Sequence, residues 1–125
     1  MGKIDSLGQF EQLVLTAVLA LEENAYGVTI HAKVNELAKP KSILLGAVYV
    51  TLDRLEDKGL IKSWLSDPTP ERGGRSKRFY KLEESGERAL QESLIAAKRI
   101  CDEAEGIWGA ALWSPNRKWK PVRIK

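Results

Sequence analysis

The stretch from Pro68 to Leu82, PTPERGGRSKRFYKL, limits the folds open to this chain more than any other part of the sequence. It links two short runs that are rich in aliphatic and aromatic residues, LIKSWLS and KRFYKL. Prolines and adjacent glycines are turn residues, and the two runs have the composition of β-strands. The sequence therefore predicts an antiparallel β-hairpin with a cationic, glycine-centred loop.

Hydrophobic spacing predicts three helices ahead of this hairpin. In the first helix, apolar residues recur at intervals of three and four, which is the spacing of a helical face. Ser6 and Gln9 have the spacing of a capping box, so a start near Leu7 is expected. The second helix, in AYGVTIHAKVNELAKP, should stop before Pro40, because proline disfavours helical backbone in the residue before it.

A third helix is predicted in SILLGAVYVTLDRLEDKGL. Its expected core stripe has helical spacing and consists of Leu45, Val48, Leu52 and Leu55. Gly59 offers a C-terminal stop. The residues on the opposite, outward face and its borders are Gly46, Tyr49, Val50, Thr51, Asp53, Arg54 and Asp57.

A long last helix is predicted after the hairpin, in EESGERALQESLIAAKRICDEAEGIWGAALW, because this segment is rich in helix formers and lacks proline. Its small and apolar residues form a heptad seam, which consists of Leu90, Leu94, Ala97, Cys101, Ala104, Trp108 and Ala111. So long a seam predicts a partner helix in a homodimer, since it runs beyond what three short helices can cover. The alternative is that it packs only on the first helix of its own chain.

Charge is unevenly distributed along the sequence. The formal net charge is +3, but the last twelve residues hold five Lys and Arg without an acid, which leaves 15 bases against 17 acids in residues 1–113. The predicted hairpin loop is a second basic zone, and such zones favour contact with a polyanion. The longest apolar run, LVLTAVLAL, is well short of the roughly 18 residues that a membrane span needs. With no secretion signal either, we expect a cytoplasmic protein without a membrane segment.

Motifs for catalysis, nucleotide binding and metal binding are missing from the sequence. His31 is the only histidine and Cys101 the only cysteine, too few for a zinc site built from His and Cys ligands. Gly73 and Gly74 are adjacent and lie between two predicted strands, whereas a P-loop has spaced glycines followed by Lys-Ser/Thr between a strand and a helix. We therefore expect neither an enzyme nor a cofactor or metal.

The order of three helices, strand, cationic loop and strand is that of a winged helix-turn-helix, in which the third helix enters the DNA major groove. The sequence LLGAVYVTLDRLEDKGLIKSWLS, followed by GGRSKRFYKLEESGERAL, resembles the PadR family of transcriptional regulators. The third helix has the family pattern G-x-[VL]-Y-x-x-L-x-R-L-E-x-x-G-L-[IV], and AYGVTIHAKV resembles the family's second helix. The likeness covers about residues 8–95.

The predicted fold is mainly α with a small β-hairpin, an α+β fold. We expect a winged helix-turn-helix domain in residues 1–83, a dimerisation helix in 84–113 and a basic tail in 114–125. The resemblance implies a homodimeric repressor that binds a pseudo-palindromic operator in double-stranded DNA. Some members of the family respond to small aromatic compounds, which makes a small aromatic effector a candidate partner here. Trp108 is either a core residue of the seam or the wall of an aromatic-binding cavity between subunits.

Candidate DNA-contacting residues fall on the third helix, just before it, and on the loop that corresponds to the wing. Tyr49 among them could equally be a half-buried core aromatic. The rival function is a winged-helix module for protein interaction that does not bind DNA. The candidate residues are Lys41, Gly46, Tyr49, Val50, Thr51, Asp53, Arg54, Arg72, Gly73, Gly74, Arg75, Lys77 and Arg78.

Overall fold

The computed structural model describes residues 7–67 and 76–109. It confirms the predicted α+β class, with short helices, a two-stranded antiparallel hairpin and a long last helix. The chain divides into two compact units, residues 1–93 and 94–125, and the division falls inside the last helix. The elements are α1 (Gln9–Leu21), a 3-10 turn (Glu22–Asn24), α2 (Gly27–Ala38), α3 (Leu45–Asp57), β1 (Ile61–Leu65), β2 (Arg78–Leu82) and α4 (Glu84–Trp108).

Helix α1 begins at Gln9, later than the predicted start near Leu7. Gly8 is the N-cap, and its backbone N–H donates to Oε1 of Glu11 at 3.0 Å. Glu11 stands at the third helical position, so its carboxylate supplies the side-chain half of a capping box. Ser6, from the capping box that the sequence predicted, lies outside the described residues.

The hydrophobic core of the first unit lies where the three short helices meet the hairpin. Three residues of the predicted α3 stripe, Val48, Leu52 and Leu55, are fully buried. Leu45 is exposed, and its place in the stripe was predicted wrongly. It is the first residue of α3, where no preceding helical turn covers it.

A Schellman motif joins α3 to β1. The N–H groups of Gly59 and Leu60 donate to the carbonyls of Glu56 (2.9 Å) and Leu55 (3.0 Å). Gly59 has a φ of 78°, which a residue with a Cβ adopts only at a cost. The predicted stop of the helix at this glycine is confirmed.

The hairpin strands pair antiparallel, with Ser63 opposite Tyr80 and Trp64 opposite Phe79. The N–H of Tyr80 also donates to the carbonyl of Ala25 at 2.9 Å, so the segment before α2 runs beside β2. Because successive side chains alternate across a strand, Tyr80 faces the core while Trp64 and Phe79 face away from it. The hairpin is thereby fixed to the segment before α2 by main-chain contacts and by the contact between the Tyr26 and Phe79 rings.

The first turn of α4 contacts the segment that connects α3 to β1. Ser85 Oγ donates to the Gly59 carbonyl (2.7 Å), and the N–H of Glu83 donates to the Leu60 carbonyl (2.9 Å). A Cβ on Gly86 would overlap the same Leu60 carbonyl oxygen, so only glycine fits this contact without a shift of backbone. The start of α4 is therefore anchored to the first unit.

The residues of the predicted α4 seam differ in how far they are buried. Leu90 is 2% exposed and belongs to the core of the first unit, so it is not available to a partner chain and its assignment to a dimer interface was wrong. Leu94 and Cys101 are exposed, whereas Ala97, Ala104 and Trp108 are half-buried. Ala111 lies outside the described residues.

Two features are absent from the described ranges, 7–67 and 76–109. No helix there is long and apolar enough to cross a membrane. Nor does any group of three or more His, Cys, Asp and Glu side chains in these ranges come close enough together to hold a metal ion.

Candidate nucleic-acid interface

Two side chains of α2 fix the turn that leads to α3. Asn35 Oδ1 accepts from the N–H of Ile43 at 2.7 Å, and Asn35 Nδ2 donates to the Ile43 carbonyl at 3.3 Å. His31 Nε2 lies 2.6 Å from the same carbonyl oxygen. Both backbone groups of Ile43 are thus held by α2, which sets where α3 begins. Neither of these contacts of His31 and Asn35 was predicted from the sequence.

The outward face of α3 lies on the surface where helical spacing predicts it. Gly46, Val50, Asp53 and Arg54 are all exposed, and so is Lys41 in the turn before the helix. These residues stand on one continuous face that begins at the tethered turn. They are therefore available for contact with another molecule.

Thr51 is the exception among the candidates on α3. It is 4% exposed and belongs to the buried side of the helix. It lies three residues after Val48 and four before Leu55, both fully buried, and residues at this spacing share one helical face. Thr51 is therefore removed from the candidate interface.

Tyr49 reaches from α3 to the first residue of α2. A Cβ on Gly27 would overlap the hydroxyl oxygen and the ring of Tyr49. Tyr49 remains 40% exposed, so its ring is partly at the surface while its hydroxyl end packs on α2. The side chain joins the two helices, and the sequence alone did not pair it with Gly27.

The N-terminal end of α3 presents apolar side chains to solvent. Leu44, the N-cap residue, is 78% exposed, and Val50 in the second turn is 57% exposed. A Cβ built on Gly46 would meet no atom within 4 Å. The sequence analysis did not select Leu44, although its position outside the core stripe was a usable signal.

The described ends of the wing loop carry two cations that are held by neighbouring side chains. Lys77 Nζ lies 3.9 Å from the ring centroid of Tyr26, a cation–π contact. Arg78 Nη1 donates to Ser63 Oγ at 2.9 Å, and Ser63 Oγ donates to Glu56 Oε2 at 2.8 Å. The remaining wing candidates, Arg72, Gly73, Gly74 and Arg75, lie outside the described residues.

Three aromatic rings pack together at the outer face of the hairpin: Trp64 and Phe79 from its two strands, and Tyr26, the N-cap residue of α2. The ring centroids of Tyr26 and Phe79 are 5.4 Å apart at an interplanar angle of 59°, and those of Trp64 and Phe79 are 6.2 Å apart at 20°. Aromatic pairs at such distances contribute beyond the area they bury. Trp64 and Phe79 were predicted as strand residues and Tyr26 as part of the second-helix segment, and the contact between the three rings was not predicted.

Two ionisable groups near α3 have shifted pKa values. Burial raises the pKa of Tyr80, and the charges of Asp53 and Glu56 raise it further against the opposing charge of Arg78. Burial would also raise the pKa of Glu11, but hydrogen bonds from Lys58 and from the Gly8 N–H outweigh it, so the Glu11 pKa lies below its usual value. The Glu11–Lys58 ion pair, at 2.8 Å, links the start of α1 to the end of α3.

The tethered turn, the outward face of α3 and the hairpin with basic residues define a winged helix-turn-helix, a class of DNA-binding domain. The model of the transcriptional regulator PadR-like family matches residues 15–92. The chain belongs to the PadR-like family, whose members are DNA-binding transcription regulators and not enzymes. The search of the curated proteins found no match.

Solved structures agree with this fold. A PadR family regulator from Clostridium difficile R20291 is 24% identical, with a TM-score of 0.66 over 82% of this chain and 100% of that one. A PadR-like transcription factor from Bacteroides fragilis is 26% identical, with a TM-score of 0.63 over 80% of this chain and 90% of that one. BpsR of Bordetella bronchiseptica, whose DNA binding is regulated by 6-hydroxynicotinic acid, is 19% identical, with a TM-score of 0.60 over 90% of this chain and 71% of that one.

Proposed function

We propose that this protein is a cytoplasmic PadR-like repressor that binds a pseudo-palindromic operator in double-stranded DNA as a homodimer. The observation that carries the proposal is the tethered α2–α3 turn, in which α2 side chains hold both backbone groups of Ile43. A recognition helix needs a fixed approach to the groove, and this turn supplies it beside the described base of the wing.

The wing and the recognition helix have different tasks in this proposal. Asp53 and Asp57 on the exposed face of α3 repel phosphate and offset Arg54 nearby. Most of the attraction to the DNA backbone must therefore come from the wing cations and from Lys41. Phosphate contacts set affinity and register, whereas contacts to base edges set specificity. The wing should govern affinity, and α3 should govern sequence preference.

The dependence of affinity on salt tests the wing. Each neutralised phosphate contributes about −0.9 to the slope of log affinity against log salt, so roughly four to six contacts give about −4 to −5. Replacing Arg72, Arg75, Lys77 and Arg78 with Ala should flatten this slope and weaken binding to all DNA sequences alike. The control replaces Lys98 and Arg99, exposed cations of α4, and should leave the slope as it is. A slope that survives loss of the wing cations contradicts the assignment.

Selection of genomic fragments by the purified protein tests the function as a whole. A specific regulator should enrich a short pseudo-palindromic sequence, and its complex should dissociate as salt rises. If no fragment is retained and heparin does not bind the protein, the proposal of DNA binding fails. That result would favour the rival, a winged-helix module for protein interaction.

The homodimer is proposed from the α4 residues of the second unit. Leu94, Ile100 and Ile107 are exposed there, and Ala97 and Ala104 provide small residues between them. Exposed aliphatic side chains in such a cluster are typical of an interaction surface. A second copy of the chain would cover this face and set the distance between two recognition helices.

A charged residue introduced into this exposed face of α4 tests the proposed dimer. Leu94→Lys should give a monomer in sedimentation experiments, because a lysine ammonium would have to be buried in the interface. The monomer should lose operator affinity, since each copy contacts only one half-site. Glu92→Lys, on the opposite side of the same helix, is the control for the added charge. An intact dimer in the Leu94 variant contradicts the assignment.

We also propose a small aromatic effector, with Trp108 as the residue to test. Trp108 is half-buried, which is compatible both with packing in the seam and with the wall of a cavity between subunits. The regulation of BpsR by 6-hydroxynicotinic acid supports an aromatic compound as the class to try. Quenching of tryptophan fluorescence by planar aromatic acids, lost in Trp108→Leu, would assign the cavity. Equal quenching in both proteins would leave Trp108 as a packing residue.

A further inference from the structure

The part of α3 that would enter the major groove is apolar. In helix-turn-helix proteins the N-terminal residues of the recognition helix contact base edges. Here Leu44, Leu45, Gly46, Ala47 and Val50 all occupy exposed positions at that end. None of their side chains can donate or accept a hydrogen bond. The usual hydrogen-bonded reading of bases is therefore not available to them.

Polar side chains do not replace them within the first two turns. Between Ile43 and Leu52 the sequence has no charged residue and no Asn, Gln or Ser. Thr51 is buried, and the hydroxyl end of Tyr49 packs on α2. The pairing of Arg with guanine and that of Asn or Gln with adenine cannot be made from this segment.

Gly46 supports a close approach of DNA to this surface. The fold does not require glycine here, because a Cβ would meet no atom within 4 Å and the residue lies inside a regular helix. Glycine is less favourable than alanine in a helix, so its presence has a stability cost that packing does not explain. A surface without a Cβ lets another molecule come nearer to the helix axis. A short side chain such as Val50 could then reach the floor of the groove.

We propose that Leu44 and Val50 read thymine by contact with its C5 methyl group. This methyl is the apolar group that the base pairs present in the major groove, and it distinguishes thymine from the other three bases. Burying one methyl group against aliphatic side chains corresponds to roughly fourfold in affinity. The inference rests on the proposed binding of DNA by α3 and adds the chemical feature that is read.

Deoxyuridine in place of thymidine isolates this contact, because it removes the methyl and keeps the hydrogen-bonding groups of the base. The full-length protein first selects its preferred DNA, and affinity is then measured with deoxyuridine at one thymine at a time. We expect a loss of roughly fourfold at each contacted thymine and no change elsewhere. Where a contacted thymine is replaced by cytosine, 5-methylation of that cytosine should restore about the same factor.

Variants of the two side chains connect the methyl effect to α3. In Val50→Ala or Leu44→Ala, the ratio of affinities for thymidine and deoxyuridine should fall towards one at the position that the residue reads. Both side chains are exposed, so thermal unfolding should stay near that of the wild type and show that these proteins are folded. Leu19→Ala removes an exposed leucine from α1 and should keep the wild-type ratio.

Two results would overturn the inference while DNA binding stands. The first is equal affinity for the selected DNA and its fully deoxyuridine-substituted copy. The second is a thymidine preference that persists unchanged in both variants. Failure to select any DNA sequence is a separate outcome, because it contradicts the proposed function and the thymine reading together.

Discussion

The hydroxyl of Tyr49 packs against Gly27 at the point where a side chain on α2 would begin. This contact joins the second turn of α3 to the first residue of α2. The packing of Tyr49 on α2 therefore leaves no room for a methyl group on Gly27.

Gly27→Ala should destabilise the protein, because the added methyl overlaps the Tyr49 ring. Overpacking of this kind costs about 1–3 kcal/mol, partly offset by the higher helix propensity of alanine. In a Tyr49→Ala background the same substitution should be neutral or stabilising. Urea unfolding of the four proteins in this cycle measures the coupling. Equal costs of Gly27→Ala in both backgrounds would refute the contact as its cause.

Gly86→Ala should be more damaging, because the added Cβ overlaps a backbone oxygen, that of Leu60, which cannot rotate away. We expect a loss of about 3 kcal/mol or more in the free energy of unfolding. Gly106 lies in the same helix, and a Cβ there would meet no atom within 4 Å. Gly106→Ala is therefore the matched control and should stabilise by up to about 1 kcal/mol. Similar unfolding midpoints for the two variants would count against the close approach.

Gly46→Ala should raise the stability of the protein and lower its affinity for DNA. The helix gains up to about 1 kcal/mol from alanine, because nothing in the fold opposes the new methyl. If DNA approaches α3 closely at this point, affinity should fall even as the melting temperature rises. Thermal melting and titration of the same preparation with the selected DNA measure both quantities. A variant with higher stability and unchanged affinity would exclude Gly46 from the interface.

The ion pair of Glu11 with Lys58 should make the free energy of unfolding depend on pH in the acidic range. The pKa of Glu11 is below its ordinary value of 4.5 in the folded protein, so folding favours the ionised carboxylate. Its contribution is fully present above pH 4.5 and is lost as pH falls through the lower folded pKa. At pH 7, Glu11→Gln should cost about 1 kcal/mol of unfolding free energy.

Urea unfolding at pH 7 and at pH 3 checks this dependence. The difference between the wild type and Glu11→Gln should shrink at the lower pH, because protonation of Glu11 removes the charge that glutamine lacks at every pH. Glu92→Gln, an exposed position on α4, should differ little from the wild type at either pH. A Glu11→Gln cost that is the same at both pH values would mean that the carboxylate acts through shape and not charge.

Local patterns predicted the elements well because each is encoded within a few residues. Proline ends α2, Gly59 ends α3, and two runs of β-forming residues flank a turn. Burial of particular side chains was predicted less well. Thr51 and Leu90 were assigned to surfaces, yet both are buried, because burial depends on what neighbouring elements cover.

The N-cap of α1 is another feature that local sequence patterns did not predict correctly. Two spacings compatible with a capping box overlap there, Ser6 with Gln9 and Gly8 with Glu11. The Glu11 carboxylate accepts from the Gly8 N–H, and it is also held by Lys58 at the end of α3. The partner from α3 is 47 residues away along the chain, so local spacing could not reveal it.

The sequence by itself determined the order of helices and strands, the family and the division of charge, since these follow from spacing, composition and short motifs. Only the tertiary structure decided that Asn35 holds the turn, that Tyr49 rests on Gly27 and that Gly86 rests on Leu60. Each of these contacts joins residues of different elements. Their energies depend on distances that chain packing sets, and such distances are not encoded in any single segment.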